Sequence, residues 1–162
     1  MKKNFLFALL IINCFFLYFE NTIIKDYLGK WKIDKVFSID KDYFCLEDFT
    51  ETDAQEFKNK TIEYSQNKII INNDSVLIKK FDEFVFSNEE LKEYTSGSIY
   101  EGYSFSDLGI SNTNKIRFIA AQPMENLSTE FPFGCFFYQI SKKDLLIHYR
   151  GYFFHAFRLT ND

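Results

Sequence analysis

The sequence predicts an all-β chain closed into an up-and-down antiparallel barrel of eight or nine strands. Three observations predict it. Beyond residue 25, short runs alternate apolar and polar side chains at the two-residue period of a half-buried strand. These runs are joined by turn clusters of a few residues, which suffice between antiparallel neighbours but not between parallel ones. Helical signals are few and short, so the regular strand–helix alternation of a parallel sheet is absent. A barrel also removes the open edges that aromatic, β-branched strands would expose. A sandwich would demand longer Greek-key crossings.

The elements follow in order. Lys2 and Lys3 give a short basic start, and residues 5–19 are apolar apart from Asn13, with Cys14 among them. As a helix this run would span roughly 22 Å, short of a hydrocarbon core of roughly 30 Å. Residues 1–20 therefore read as a secretory signal peptide, as an uncleaved N-terminal anchor or as a buried core segment; no A-x-A-like pair of small residues follows. Both targeting readings export the rest of the chain to the periplasm, the medium or the outer membrane face, leaving Lys2 and Lys3 inside. Residues 25–162 form a single domain without a linker or a composition break.

Within that domain Trp31, Ile33 and Phe37 share one face of a first strand that begins just after Gly29. Residues 61–65 and 68–72 form a tight hairpin, and the cluster 72–75 leads into a strand over 76–86. Residues 98–105 place Ile99, Tyr103 and Phe105 on one face, and residues 115–122 end at Pro123. Strands over 133–140, 144–149 and 152–159 complete the chain, with Arg150-Gly151 as a hairpin turn. Capping signals at 52–55 and 87–90 predict short helices near 53–58 and 88–94, and residues 106–110 one more turn.

Composition narrows the function. Hydrophobic residues make up 46 % and charged residues 26 %, which excludes a disordered polymer. The formal charge of −4 excludes the cationic footprint of a nucleic-acid binder. Cys45 and Cys135 are an even pair in an exported domain and read as one disulfide, or as two free buried thiols. A bridge would close a loop of about 90 residues, for which chain entropy gives roughly 4–5 kcal/mol. No C-x-x-C spacing, P-loop, G-x-S-x-G or H-E-x-x-H element occurs, so neither a metal, a cofactor nor an enzymatic activity is expected. His148 and His155 fall on adjacent strands of one hairpin and share a sheet face. A transition metal would want a third ligand there, so they read as packed or solvated.

Residues 26–31 (Asp-Tyr-Leu-Gly-Lys-Trp) resemble the G-x-W opening of lipocalins and their calycin relatives, at the start of the first barrel strand. The resemblance implies that Trp31 closes one barrel end and that Arg158, near the end of the last strand, packs across it, with Gly29 beside them. The second family motif, a T-D-Y-like stretch, has no counterpart here, which points to an outlying or bacterial lipocalin-like member. Two functions then compete. One is an exported binding protein that holds a small apolar or amphipathic ligand, with Tyr64, Phe118, Phe137, Tyr138 and Phe154 lining the cavity. The other is a barrel filled by its own side chains that engages a protein partner through its surface, as an inhibitor or an envelope accessory factor. Membrane contact is expected only through an uncleaved N-terminal segment.

Overall fold

The computed structural model describes residues 26–39, 48–97, 102–111, 113–124 and 131–160. Eight antiparallel strands close into one barrel in simple sequence order. They are β1 (Gly29–Ser38), β2 (Thr61–Tyr64), β3 (Lys68–Ile71), β4 (Asp74–Phe86), β5 (Ile116–Pro123), β6 (Phe136–Gln139), β7 (Asp144–Tyr149) and β8 (Tyr152–Arg158). Two short helices, α1 (Glu51–Gln55) and α2 (Asn88–Thr95), accompany them. Strand β8 returns to β1 and pairs Trp31 with Arg158, which closes the ring. The N-terminal segment 1–20 and Cys45 lie outside the described residues.

Local chemistry accounts for the joints. Tyr149 pairs with Tyr152 around Arg150 and Gly151, whose φ values of 49° and 82° give the doubly left-handed turn that matches strand twist. Asn72, at φ 55°, turns β3 into β4, a position where asparagine tolerates the left-handed region. Helix α2 starts on the expected capping box: Ser87 Oγ accepts from Glu90 N, and Glu90 accepts from Ser87 N. Helix α1 begins two residues earlier than the sequence suggests. Its cap is Thr50 with Asp53, an aspartate taking the place that glutamate fills in the usual box.

Two sequence expectations are corrected. A register shift between Ile33 and Lys35 bulges β1, so its alternation changes phase. Val36 therefore joins Trp31 and Ile33 in the interior, while Phe37 turns outward and stacks on Phe153 at 5.7 Å. The strand expected over 98–105 is not one in its described part. Residues 102–104 are irregular and 105–109 form turns. Their backbone donors go to side chains of α2 and its C-cap instead of a ladder: Gly102 N to Ser96 Oγ, Tyr103 N to Thr95 Oγ1 and Phe105 N to Asn88 Oδ1, at 2.8–3.1 Å.

The result is two apolar cores separated by the barrel wall. The inner one lies inside the barrel around Trp31, Ile62, Ile69, Phe137 and Phe154. The outer one lies between the wall of β5–β8 and a flap made of α2 and residues 102–111, around Leu91, Tyr103, Phe118, Tyr138 and Phe153. Strands β5–β8 are therefore covered on both faces, which explains why residues 145–147 are a continuous buried run and not an alternating one.

Candidate functional site

The barrel end that carries Gly29, Gln139 and Arg158 is closed by a built cluster. Trp31 is fully buried, and its Nε1 donates to the Tyr27 carbonyl at 2.9 Å. The Arg158 guanidinium sits 4.3 Å from the Trp31 ring centroid. It donates to the carbonyls of Leu28 at 2.9 Å and Lys142 at 2.8 Å, and also to that of Asp26. Gly29 stands at φ 126°, and a Cβ there would come within 3.1 Å of Arg158 Nη1. The glycine thus makes room for the guanidinium as well as supplying the backbone angle.

A second arginine, Arg117, points into the same end. It donates to Gln139 Oε1 at 2.5 Å and pairs with Glu83 Oε1 at 3.4 Å and Asp26 Oδ2 at 3.7 Å. Sequence reasoning missed this residue. Its signal was a lone cation on the apolar alternation of β5, at an inward position between Ile116 and Phe118.

Of the five expected lining residues, the structure turns three inward and two outward. Tyr64 and Phe137 meet at 4.5 Å between ring centroids, and the Tyr64 hydroxyl donates to the Gly134 carbonyl at 3.1 Å. Tyr27 contacts both rings from the closed end. Phe154 packs edge-on against Phe133 at 4.8 Å, and Phe133 stacks on Phe57 at 4.2 Å. Phe118 and Tyr138 face outward, under the flap, because their strands carry Ile119 and Phe137 on the inner face. There the Tyr138 and Tyr103 hydroxyls lie 2.8 Å apart. Burial drives the Tyr64 and Tyr138 phenols well above their ordinary range.

Cys135 is a free thiol, fully buried, and burial pushes it up to about 12. That environment makes it a small core hydrophobe rather than a nucleophile.

The two histidines share the outward face of β7 and β8, with His148 opposite Phe153 and His155 opposite Leu146. They have different surroundings. His148 stacks on Phe153 at 4.6 Å, its Nε2 is buried without a hydrogen-bond partner, and burial lowers it to about 4. His155 lies between two carboxylates, with Nδ1 2.5 Å from Asp34 Oδ1 and Nε2 3.3 Å from Asp144 Oδ1. Among the described residues, no group of three histidines, cysteines or acids could hold a metal ion.

An open cleft of about 520 Å³ lies outside the closed barrel end, lined by Asp26, Lys142, Lys143, Arg158 and Thr160. Its arginine is already committed to backbone carbonyls and to Trp31. The outer surface of β4 differs from the rest of the barrel. Phe84 is 46 % accessible on that outer face, and its neighbours Glu83 and Val85, on the opposite face of the strand, are exposed as well. The chain matches no family model, and neither curated proteins nor solved structures give a significant match.

Proposed function

We propose that this chain is an exported, lipocalin-like barrel that works through its outer surface as an interaction protein, its interior being filled by its own side chains. The observation that carries this reading is the mutual packing of the inward aromatic residues. Tyr64, Phe137 and Phe154 are at most 1 % exposed, and their rings are in contact with Tyr27, Phe57 and Phe133. A drug-sized apolar ligand needs roughly 300 Å³, and these rings occupy the space in which it would lie. The lipocalin-like assignment is supported by Gly29, Trp31 and Arg158, which meet at one barrel end as that resemblance implies. Export rests on the apolar run of residues 5–19 behind Lys2 and Lys3.

The test is a titration of protein recovered from an exporting host with an apolar fluorescent naphthalene probe, competed with palmitate. No saturable displacement at micromolar concentrations is expected. Saturable one-site displacement would overturn the filled-barrel reading and restore the ligand-binding one.

A further inference from the structure

The cleft outside the closed barrel end, about 520 Å³ in volume, has the size of a small-molecule site. Three of its five lining residues, Lys142, Lys143 and Arg158, are cations, in a chain whose formal charge is −4. Their charge is not matched there. Arg158 donates to the carbonyls of Lys142, Leu28 and Asp26 and lies over the Trp31 ring, so each of these partners is neutral. Those bonds use three of the five guanidinium N–H groups. Among the described residues, Lys142 and Lys143 have no ion pair. Asp26, the acid in the lining, shares its Oδ2 with Arg117 at 3.7 Å. The lysines are also held in place. Ile140 N and Ser141 N both donate to the Asp144 carbonyl, and Lys143 N donates to Ser141 Oγ at 2.9 Å. Arg158 then ties this loop to β8, its backbone N donating to the Lys143 carbonyl at 2.9 Å and its Nε to the Lys142 carbonyl at 2.8 Å. One arginine thus fixes the backbone of both lysines beside its own side chain, and an anion in the cleft would relieve the repulsion among the three.

We infer that this cleft binds a phosphate monoester, its dianion received by Lys142, Lys143 and Arg158. Charge selects the class. Three cations against Asp26 leave two positive charges in the lining. A phosphate monoester carries about −1.5 to −2 near neutral pH and matches that balance, whereas a carboxylate or a phosphodiester carries one charge and leaves the other uncompensated. Guanidinium and ammonium groups are also the donors that hold phosphate oxygens most strongly, and Thr160 adds a neutral hydroxyl to the lining. The cleft is larger than the phosphate group alone, so it has room for part of the esterified alcohol. Because the chain as a whole is acidic, attraction is confined to this cluster, and affinity falls as salt screens it. The same group occurs on free esters and on lipid headgroups, and the cleft reads the chemistry that they share. The inference goes beyond the filled-barrel reading, since the site lies outside the barrel and does not depend on what its interior holds.

Isothermal titration of the full chain with glycerol phosphate, at low salt and neutral pH, tests this. Saturable one-site binding is expected with a Kd of about 1 mM or tighter, and acetate is expected to bind at least about tenfold more weakly. The exposed side chains of Lys142 and Lys143 can be changed without disturbing the barrel, which circular dichroism checks. The double variant Lys142→Ala with Lys143→Ala is expected to weaken binding about tenfold or more, and the double Lys→Arg variant to keep it. Asp26→Asn is expected to tighten it, because a like charge leaves the lining. Co-sedimentation with phosphatidylcholine vesicles, with and without phosphatidic acid, distinguishes the sources. Recruitment that needs both phosphatidic acid and the two lysines assigns the ester to a lipid, and titration without recruitment assigns it to a free ester. No binding in either arm overturns the inference, as does binding that ignores the lysines or that acetate matches. An Asp162→Asn variant that alone gains binding also overturns it, in favour of the chain's own acidic end as the occupant. None of these readouts involves the apolar probe, so a failed phosphate site and a failed filled barrel are told apart.

Discussion

His148 offers the most quantitative prediction. Its ring is stacked on Phe153, its Nε2 is buried and unpartnered, and burial lowers it from 6.5 to about 4. The folded state therefore holds the imidazole neutral, while the unfolded chain protonates it near its ordinary value. As pH falls from about 7 toward 4, the unfolded state binds more protons than the folded one, and stability is lost. Between those limits the loss is about 3 kcal/mol, since each pKa unit corresponds to about 1.4 kcal/mol. A His148→Phe variant keeps a flat ring against Phe153 and removes the titration. Urea unfolding of both proteins at several pH values between about 4 and 7.5 isolates the effect. Asp53, Glu90 and Asp107 are held below their usual range by hydrogen bonds from their own cap or turn residues, Thr50, Ser87 and Ser104. They titrate alike in both proteins and cancel in the difference. The variant is expected to gain about 3 kcal/mol over wild type on acidification. Parallel stability curves would refute the reasoning and place the His148 ring in contact with water.

The remaining predictions concern packing and reactivity. Arg158→Ala removes the cation from Trp31 and leaves the carbonyls of Asp26, Leu28 and Lys142 without that donor. A loss of about 2–4 kcal/mol and a red shift of Trp31 emission are expected, and an unchanged midpoint and spectrum would count against the plug. Gly102→Ala would set a Cβ 1.8 Å from the Lys92 carbonyl oxygen, so residues 102–111 must lift from α2. Hydrogen exchange is expected to lose protection in α2 and residues 103–111 while the strands keep theirs; a uniform loss would show that flap and barrel unfold as one unit. With Cys14 and Cys45 replaced by Ser, Cys135 is expected to react with a thiol reagent only after denaturation. Rapid reaction of the native protein would contradict its placement in the core.

Much of the strand order was legible because alternation and turns are local. Thr61–Tyr64, Lys68–Ile71 and the hairpin around Arg150-Gly151 lie where a two-residue period and turn residues indicate. The pairing of Trp31 with Arg158 was legible only through family resemblance, since nothing in 126 residues of intervening chain encodes it locally. What could not be read was facing. Phe118 and Tyr138 look like the other strand aromatics, but the flap gives β5–β8 a second apolar face, which blurs the alternation that would distinguish inside from outside. The bulge after Ile33 exchanged the facing of Val36 and Phe37 for a similar reason: a shift of one residue inverts every side chain beyond it.

By itself, the sequence determined that this is an all-β chain with short joints and a capped helix at Asn88–Thr95. Those properties follow from backbone propensity, capping and near-neighbour periodicity, which act over a few residues. Only the tertiary structure decided that Tyr64 packs on Phe137 and Phe154 on Phe133, that Arg117 joins Arg158 at the closed end, and that β3 pairs with β4 only over Asp74–Leu77. Each depends on strand register and on the relative lengths of β3 and β4, and these are set by contacts between residues far apart in the chain.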